Sequence, residues 1–220
     1  MNDIDINDLM DAYKEIGTST IGHLTGVGYL PDIKALNPCT ATIVGRVLTV
    51  QLTSDNTDAI NQALIQAAPN DVLCIDAQVL GIKACWGALR TCAAIYEKLS
   101  AVIVIGQATD SVQIEQLGFP VFAQGISSIT TFKSNQAPGT GTLASDIAYR
   151  SGEQTTMICS GDIALMDNDG VFILPVDVAQ QLLLDCQKKH KADEAKFQMF
   201  FEAYTHNALD ELFSSSSNTR

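Results

Sequence analysis

Blocks of apolar and polar residues along the chain set the expected elements. Residues 101–105 (Ala-Val-Ile-Val-Ile) form an unbroken apolar run, rich in β-branched side chains, that stops at Gly106. Such a run marks a strand buried on both faces. Residues 72–76 and 41–52 are further strand candidates, and Pro120 opens a shorter strand at 121–123. Helical spacing appears at 5–16, at 56–68 with Asp55 as the predicted N-cap, and at 86–99. Two further strands joined by turns are expected within 155–175. Asp177 is the predicted cap of a helix over 178–187, and a last helix is predicted over 191–213. Strand–helix–strand alternation predicts parallel pairing and right-handed crossovers, hence an α/β fold with a central sheet flanked by helices. No internal repeat or linker divides the sequence, so residues 1–213 read as a single domain and 214–220 as a polar tail.

Composition narrows the function classes. The chain has 220 residues, 46% of them hydrophobic, which suits one globular domain. No apolar run reaches the roughly 18 residues a membrane span needs. The start, Met1-Asn2-Asp3-Ile4-Asp5, is acidic and lacks the basic n-region of a secretory leader. Six cysteines at irregular spacing, without a CxxC, fit a reducing, cytoplasmic setting better than a disulfide framework. Cys85 and Cys92, seven apart on one expected helix face, read as buried thiols. His23, His190 and His206 are too scattered for a zinc pattern. The net charge of −12 repels phosphate backbones and argues against direct nucleic-acid binding, while a basic protein partner would be attracted.

Candidate chemistry centres on two segments. Asp110 follows Gly106 by four residues and so falls at the carboxyl end of a buried strand, where open α/β sheets bind their ligands. An alternative role for it is N-cap of a helix starting at Ser111. The second segment pairs Gly161-Asp162 with Asp167-Asn168-Asp169-Gly170, which leads into Val171-Phe172-Ile173-Leu174-Pro175. It is a turn before it is a site, and it is not an EF-hand, because Leu165 stands two before Asp167 and no bidentate Glu closes a loop.

Taken together, these segments carry a resemblance. Gly45 to Val50, Asp55-Asn56, Ala68 to Asp76, Ala84-Cys85-Trp86-Gly87, Gly106 to Asp110, Phe119 to Gly125, Gly161-Asp162 and Asp167 to Val171 stand in the order and spacing of the RraA-like family. That family includes the 4-hydroxy-4-methyl-2-oxoglutarate aldolases and the regulator of ribonuclease E activity. The resemblance spans residues 18–175. It implies a swivelling β/β/α fold and a homotrimer or hexamer with the active site between subunits. It also implies a divalent metal, Mg²⁺ (or Mn²⁺), acting as a Lewis acid on a small 2-oxo acid. Asp110 falls on the family's metal-anchoring aspartate. Gly87, Ala88, Leu89 and Arg90 match the helix start whose amides hold the substrate carboxylate, although Gly87 reads equally as a glycine that lets a helix approach a strand.

Some positions depart from the family pattern. Thr109 stands where the aldolases have arginine, and it offers a hydroxyl in place of a bidentate fork. Ile105 and Gly22 stand where aspartates are common. Arg90 either replaces the missing arginine or points to solvent, and Arg90 and Thr109 are the candidate catalytic pair. Two functions remain open: a metal-dependent lyase, by retro-aldol cleavage or oxaloacetate decarboxylation, or a non-catalytic regulator that binds a protein partner. A third is an enzyme whose substrate lacks the carboxylate that the missing arginine would hold. Phe197, Phe200, Phe201 and Tyr204 either join the core or pack on a neighbouring subunit.

Overall fold

The structure, a computed structural model, describes residues 4–131 and 141–206. Helix α1 (Ile6–Tyr13) starts where the Asp5 carboxylate accepts the Asn7 amide at 2.8 Å. The short α2 (Thr18–Gly22), β1 (Lys34–Ala35) and β2 (Ile43–Leu52) follow. Then come α3 (Asp58–Gln66), β3 (Asp71–Asp76), a 3-10 turn at Gln78–Leu80, β4 (Ala84–Trp86) and α4 (Ala88–Tyr96). Next are β5 (Ala101–Ala108), α5 (Ser111–Leu117), β6 (Val121–Ile126) and β7 (Gly141–Leu143). The hairpin β8 (Ile147–Ser151) and β9 (Gln154–Ile158), then β10 (Ile163–Met166), β11 (Val171–Leu174) and α6 (Val176–Thr205) complete the described chain.

The main sheet runs β1-β6-β5-β3-β2-β10-β11, with β4 beside β5 and β7 beside β2. Its centre is parallel: β2 pairs with β3, β3 with β5 and β5 with β6, each connected through a helix. Side chains alternate between two cores, as period-2 geometry requires. Leu73, Ile75, Val102 and Val104 pack with Ile60 of α3, Ala94 of α4 and Ile114 of α5. Val72, Cys74, Ile103 and Ile105 pack with Ile147, Tyr149 and Ile158 of the β8–β9 hairpin. The layers are therefore hairpin, sheet and helices. A third cluster joins Leu9 and Tyr13 of α1 to Ala179, Leu183 and Cys186 of α6, where the Tyr13 hydroxyl donates to the Ala179 carbonyl at 2.8 Å.

Several expectations are corrected. Strand β5 continues past Ile105 because Gly106, at φ +151°, lets the ladder with β6 shift register rather than end. Trp86 is strand, not helix, so α4 starts two residues later than expected. Asp55 does not cap α3. Thr57 holds that position, and Asp55 instead makes an ion pair with Lys83. Residues 155–175 contribute β9, β10 and β11 rather than two strands, and β7 and β8 precede them. The helices expected at 178–187 and 191–213 are one 30-residue helix, with Pro175 rather than Asp177 at its N-cap. No Gly or Pro interrupts it, and Lys189–Asp193 and His190–Glu194 pair along its exposed face. Cys92 is exposed, because it faces away from the core that buries Cys85. The end of the last expected helix, from 207, and the tail at 214–220 lie outside the described residues. Phe197, Phe200, Phe201 and Tyr204 do not join the core.

Candidate active site

A cleft of about 480 Å³ opens at the carboxyl ends of the parallel strands. The loop after β2 supplies Asp55, Asn56 and Thr57, the end of β4 supplies Trp86 and Gly87, the end of β5 supplies Thr109 and Asp110, and Thr130 and Thr131 follow β6. The N-termini of α3 and α4 face into it through Asp58, Asn61, Leu89 and Arg90. A hollow of about 490 Å³ at the opposite strand ends carries two acid–base pairs, Arg46 with Asp71 and Lys14 with Asp11, so its charges are already matched.

Asp110 is positioned by strain and by a missing side chain. Its backbone is left-handed at φ 57°, ψ 40°, which costs a non-glycine residue about 1–2 kcal/mol. It occupies the N-cap position of α5 without capping that helix. Instead its Oδ2 accepts the Ala88 amide at 3.0 Å, at the start of α4. Gly87 makes room for this. A Cβ there would stand 2.5 Å from Asp110 Oδ2 and 2.9 Å from Thr109 Cγ2. Thr109 is fixed by its own amide, which donates to the Trp86 carbonyl at 2.8 Å, and its hydroxyl lies 3.5 Å from Asp110 Oδ1. Leu89, 88% exposed, stands at the cleft edge. The amides of Leu89 and Arg90 lie in the first helical turn and have no intrahelical acceptor.

Arg90 turns inward. Its Nη1 donates to the Cys85 carbonyl, and its Nη2 to the Thr57 hydroxyl at 2.6 Å and the Thr57 carbonyl at 3.5 Å. Burial pulls its pKa down, while Cys85 and Asp58 push the other way. The Cys85 thiol beneath it is raised to about 11 by burial, against the charge of Arg90, and so stays protonated at neutral pH. Trp86 is buried in the wall, its indole N–H on Thr91 Oγ1 at 2.9 Å.

The six residues singled out from the sequence thus converge. Gly87, Leu89, Arg90, Thr109 and Asp110 line the cleft, and the Ala88 amide binds the Asp110 carboxylate. The structure adds the opposite wall, Thr57, Asp58 and Asn61. The only local signal for that wall was Asp55-Asn56 following a strand. The other acidic segments do not reach the cleft. Asp167 accepts the Thr18 amide at 2.7 Å and the Thr18 hydroxyl at 2.5 Å, which ties down the start of α2. Asp162 accepts the Cys159 amide at 2.8 Å within its own turn.

The donor set suits a hard, hydrated cation. Asp110 is an exposed carboxylate in a cleft that also holds Asp55, Asp58 and several hydroxyls, and Mg²⁺ keeps most of its waters when one or two carboxylates hold it. Among the described residues no three His, Cys, Asp or Glu side chains cluster to enclose a metal. No described helix is long and apolar enough to cross a membrane.

A family model described as RraA-like, Aldolase/RraA, matches residues 6–173. A protein of Halalkalibacterium halodurans named "Putative 4-hydroxy-4-methyl-2-oxoglutarate aldolase" is 29% identical over 191 residues, covering 86% of this chain and 87% of its own. The crystal structure of an uncharacterized protein from Pseudomonas syringae pv. tomato matches with a TM-score of 0.73 at 19% identity, covering 98% of this chain and 97% of its own. RraAS2 of Streptomyces coelicolor, described as an unusual member of the RNase ES inhibitor RraA protein family, matches with a TM-score of 0.69 at 23% identity, covering 87% and 97%. These structures share the fold: an α/β sheet flanked by helices.

Proposed function

Because this chain belongs to the RraA-like family, we propose that it is a divalent-metal-dependent lyase of small 2-oxo acids, acting by retro-aldol cleavage or oxaloacetate decarboxylation. The observation that carries this reading is Asp110, held in a left-handed backbone over the start of α4 in space that only a glycine at 87 leaves open. A left-handed backbone that aims a cleft carboxylate at a helix start supports a functional role for that side chain.

In this reading Asp110 holds Mg²⁺ or Mn²⁺ beside the first turn of α4. The metal, when bound, supplies Lewis acidity at the 2-oxo oxygen. The amides of Leu89 and Arg90, at the positive end of the helix dipole, orient the substrate's 1-carboxylate. In oxaloacetate the C3–C4 bond breaks and CO₂ leaves. The electron pair runs toward the 2-oxo oxygen, and the enolate then takes a proton at C3 from water to give pyruvate. Trp86 and Leu89 supply apolar walls, and Thr109 presents a neutral hydroxyl in place of a cation. The proposal places the protein in the cytoplasm as a homotrimer or hexamer, with the exposed aromatic half of α6 packed on a neighbouring subunit. Light scattering that finds a dilute monomer would remove that assembly.

The test is oxaloacetate decarboxylation by the wild type and Asp110→Ala, with and without Mg²⁺. Metal-dependent turnover that falls by at least about 10²-fold in Asp110→Ala supports the proposal. A second reading, a non-catalytic regulator that binds a protein partner, draws on Thr109 and on the net charge of −12. It gains if the wild type turns over no 2-oxo acid.

A further inference from the structure

Helix α6 carries one seam along its whole length. Val176, Ala179, Leu183, Cys186, His190, Asp193, Phe197, Phe200 and Tyr204 recur at alternating spacings of three and four, so they share one face of the helix. The first four pack in the cluster that holds Leu9 and Tyr13 of α1. Beyond Asp193 the seam turns aromatic and the helix emerges from that cluster. From 194 to 206 every residue except Ala203 is exposed, Phe197 at 63% and Tyr204 at 65%. Phe201 flanks the seam and stacks on Phe197, with ring centroids 5.7 Å apart. An apolar face that continues past its own core fits a further surface. This half of the helix also lies beyond residues 6–173, which the family model covers.

Charge identifies that surface. Residues 188–206 hold four lysines and three carboxylates, near balance in a chain whose net charge is −12. Two copies that meet here avoid the repulsion between their acidic bodies. The seam has one carboxylate, Asp193, which pairs with Lys189 in the same helix. Parallel pairing of two such helices sets Asp193 against Asp193, so like charges oppose each other in the seam. Antiparallel pairing sets Asp193 against the second copy's Tyr204 and Phe197 against the second copy's Phe200, and symmetry repeats both contacts. On the flanks Lys196 then meets Ala203 and Glu194 meets Phe201, with no like charges opposed. The overlap runs from 193 to 204, which matches the part of α6 that emerges from its own core.

We propose that the aromatic half of α6 is a self-association surface, and that its occupant is the same half-helix of a second copy, antiparallel about a two-fold axis. The inference rests on the reading of α6 as an assembly element and is independent of the lyase chemistry. About half of the surface of Phe197, Phe200, Phe201 and Tyr204 is open. At ~200 Å² per ring that is roughly 400 Å² on each copy, below the ~800 Å² a side of a standard stable interface. One helix pair is therefore a weak contact that doubles whatever the rest of the chain forms, and several pairs between two rings reinforce one another.

Light scattering over a concentration series compares the full chain with Phe197→Asp, and circular dichroism checks that the variant folds. At the top of the series wild type should have twice the mass of the variant, as hexamer against trimer or dimer against monomer. Orientation is read by disulfide capture in a Cys92→Ser background, because Cys92 is an exposed thiol. Copies carrying Asp193→Cys and tagged copies carrying Tyr204→Cys are mixed and oxidised, and unlike copies should link in preference to like ones. If Phe197→Asp does not fold, the capture decides alone. Equal masses overturn the inference, and so does the absence of a linked unlike pair. Asp193→Cys copies that link to each other show parallel pairing and overturn the two-fold arrangement. A mass that falls to one third in Phe197→Asp, with no linked pair, puts the helix on a neighbour's body; the pairing is then overturned and the assembly reading stands. A wild type that is monomeric when dilute removes the trimer, while a linked unlike pair on concentration still supports the helix contact.

Discussion

Gly87→Ala is the sharpest test of how the cleft is built. The backbone at 87 is extended, with φ −156° and ψ −169°, so alanine meets no conformational objection there. The whole effect comes from the added methyl, which would stand 2.5 Å from Asp110 Oδ2 and 2.9 Å from Thr109 Cγ2, so the threonine methyl must give way too. Ordinary carbon–oxygen contact is nearly 1 Å longer, so the carboxylate must move by about that much and give up the Ala88 amide. Losing that helix-start contact costs about 1 kcal/mol, and replacing glycine returns about 0.4–1 kcal/mol through the unfolded chain. Because Asp110 is exposed, it has somewhere to go. Stability should therefore change by less than about 1 kcal/mol, a shift of about 2–4 °C in Tm for a chain of this size. Activity should suffer far more, since about 1 Å of misplacement at a catalytic group is worth about 10²-fold. The assay pairs kcat/KM for Mg²⁺-dependent oxaloacetate decarboxylation with thermal unfolding of the same preparation. Adding Gly87→Ala to Asp110→Ala should cause no further loss. A fall in kcat/KM of under about fivefold would refute the placement of Asp110 at the reacting end. A Tm loss above about 10 °C would show that the methyl is not absorbed by the carboxylate swinging out.

Three further outcomes are expected. Thr109→Arg should raise kcat/KM for oxaloacetate decarboxylation by about 10- to 150-fold, since Thr109 offers only a hydroxyl there and the Arg90 guanidinium is held on Cys85 and Thr57. In an Asp110→Ala background the gain should vanish, and steady-state kinetics of the four combinations reads the coupling. Burial raises the carboxyl of Asp162, so its contribution to stability is fullest below the ordinary carboxylate pKa of about 3.9 and is lost as pH rises through the raised value. Asp162→Asn, which keeps an acceptor for the Cys159 amide, should match or exceed wild-type stability at pH 7 and flatten its dependence above about pH 4, measured by urea unfolding. Asp167→Ala should lower stability by about 2–3 kcal/mol through its lost bonds to Thr18 and the Asp169 amide, and leave Mg²⁺ affinity, read by calorimetry, unchanged.

What could be read from the sequence, and what could not, follows from how far each cause reaches along the chain. Strands at 72–76 and 101–105 are legible because their burial on both faces is written in consecutive residues. Gly87 and Asp110 are legible as a family pattern, and the geometry that joins them is a contact between neighbouring strand ends. Strand β4 escaped notice because three residues carry too little periodicity, and its ladder depends on β5. The continuity of α6 was hidden by a polar stretch at 187–191 that reads as a break but is helix-compatible throughout. The inward turn of Arg90 depends on Thr57, 33 residues away, and no local pattern encodes it. The opposite wall of the cleft was missed for the same reason.

The position of β2 has a consequence for how the chain is made. On one side it pairs with β3, which follows shortly, but its other side waits for β7 and β10, roughly a hundred residues later. At ~5–20 residues per second of synthesis, that leaves β2 with an open edge for roughly 5 to 20 seconds. The waiting strand includes Val44, Val47, Val50 and Leu52, all buried in the finished protein. A nascent chain halted before β10 carries an unpaired apolar edge, the form most prone to adding a strand from a neighbouring chain. The residues that end this exposure, Ile163 to Met166, come late in the chain, so a truncation just ahead of them yields an aggregating product rather than a smaller folded one.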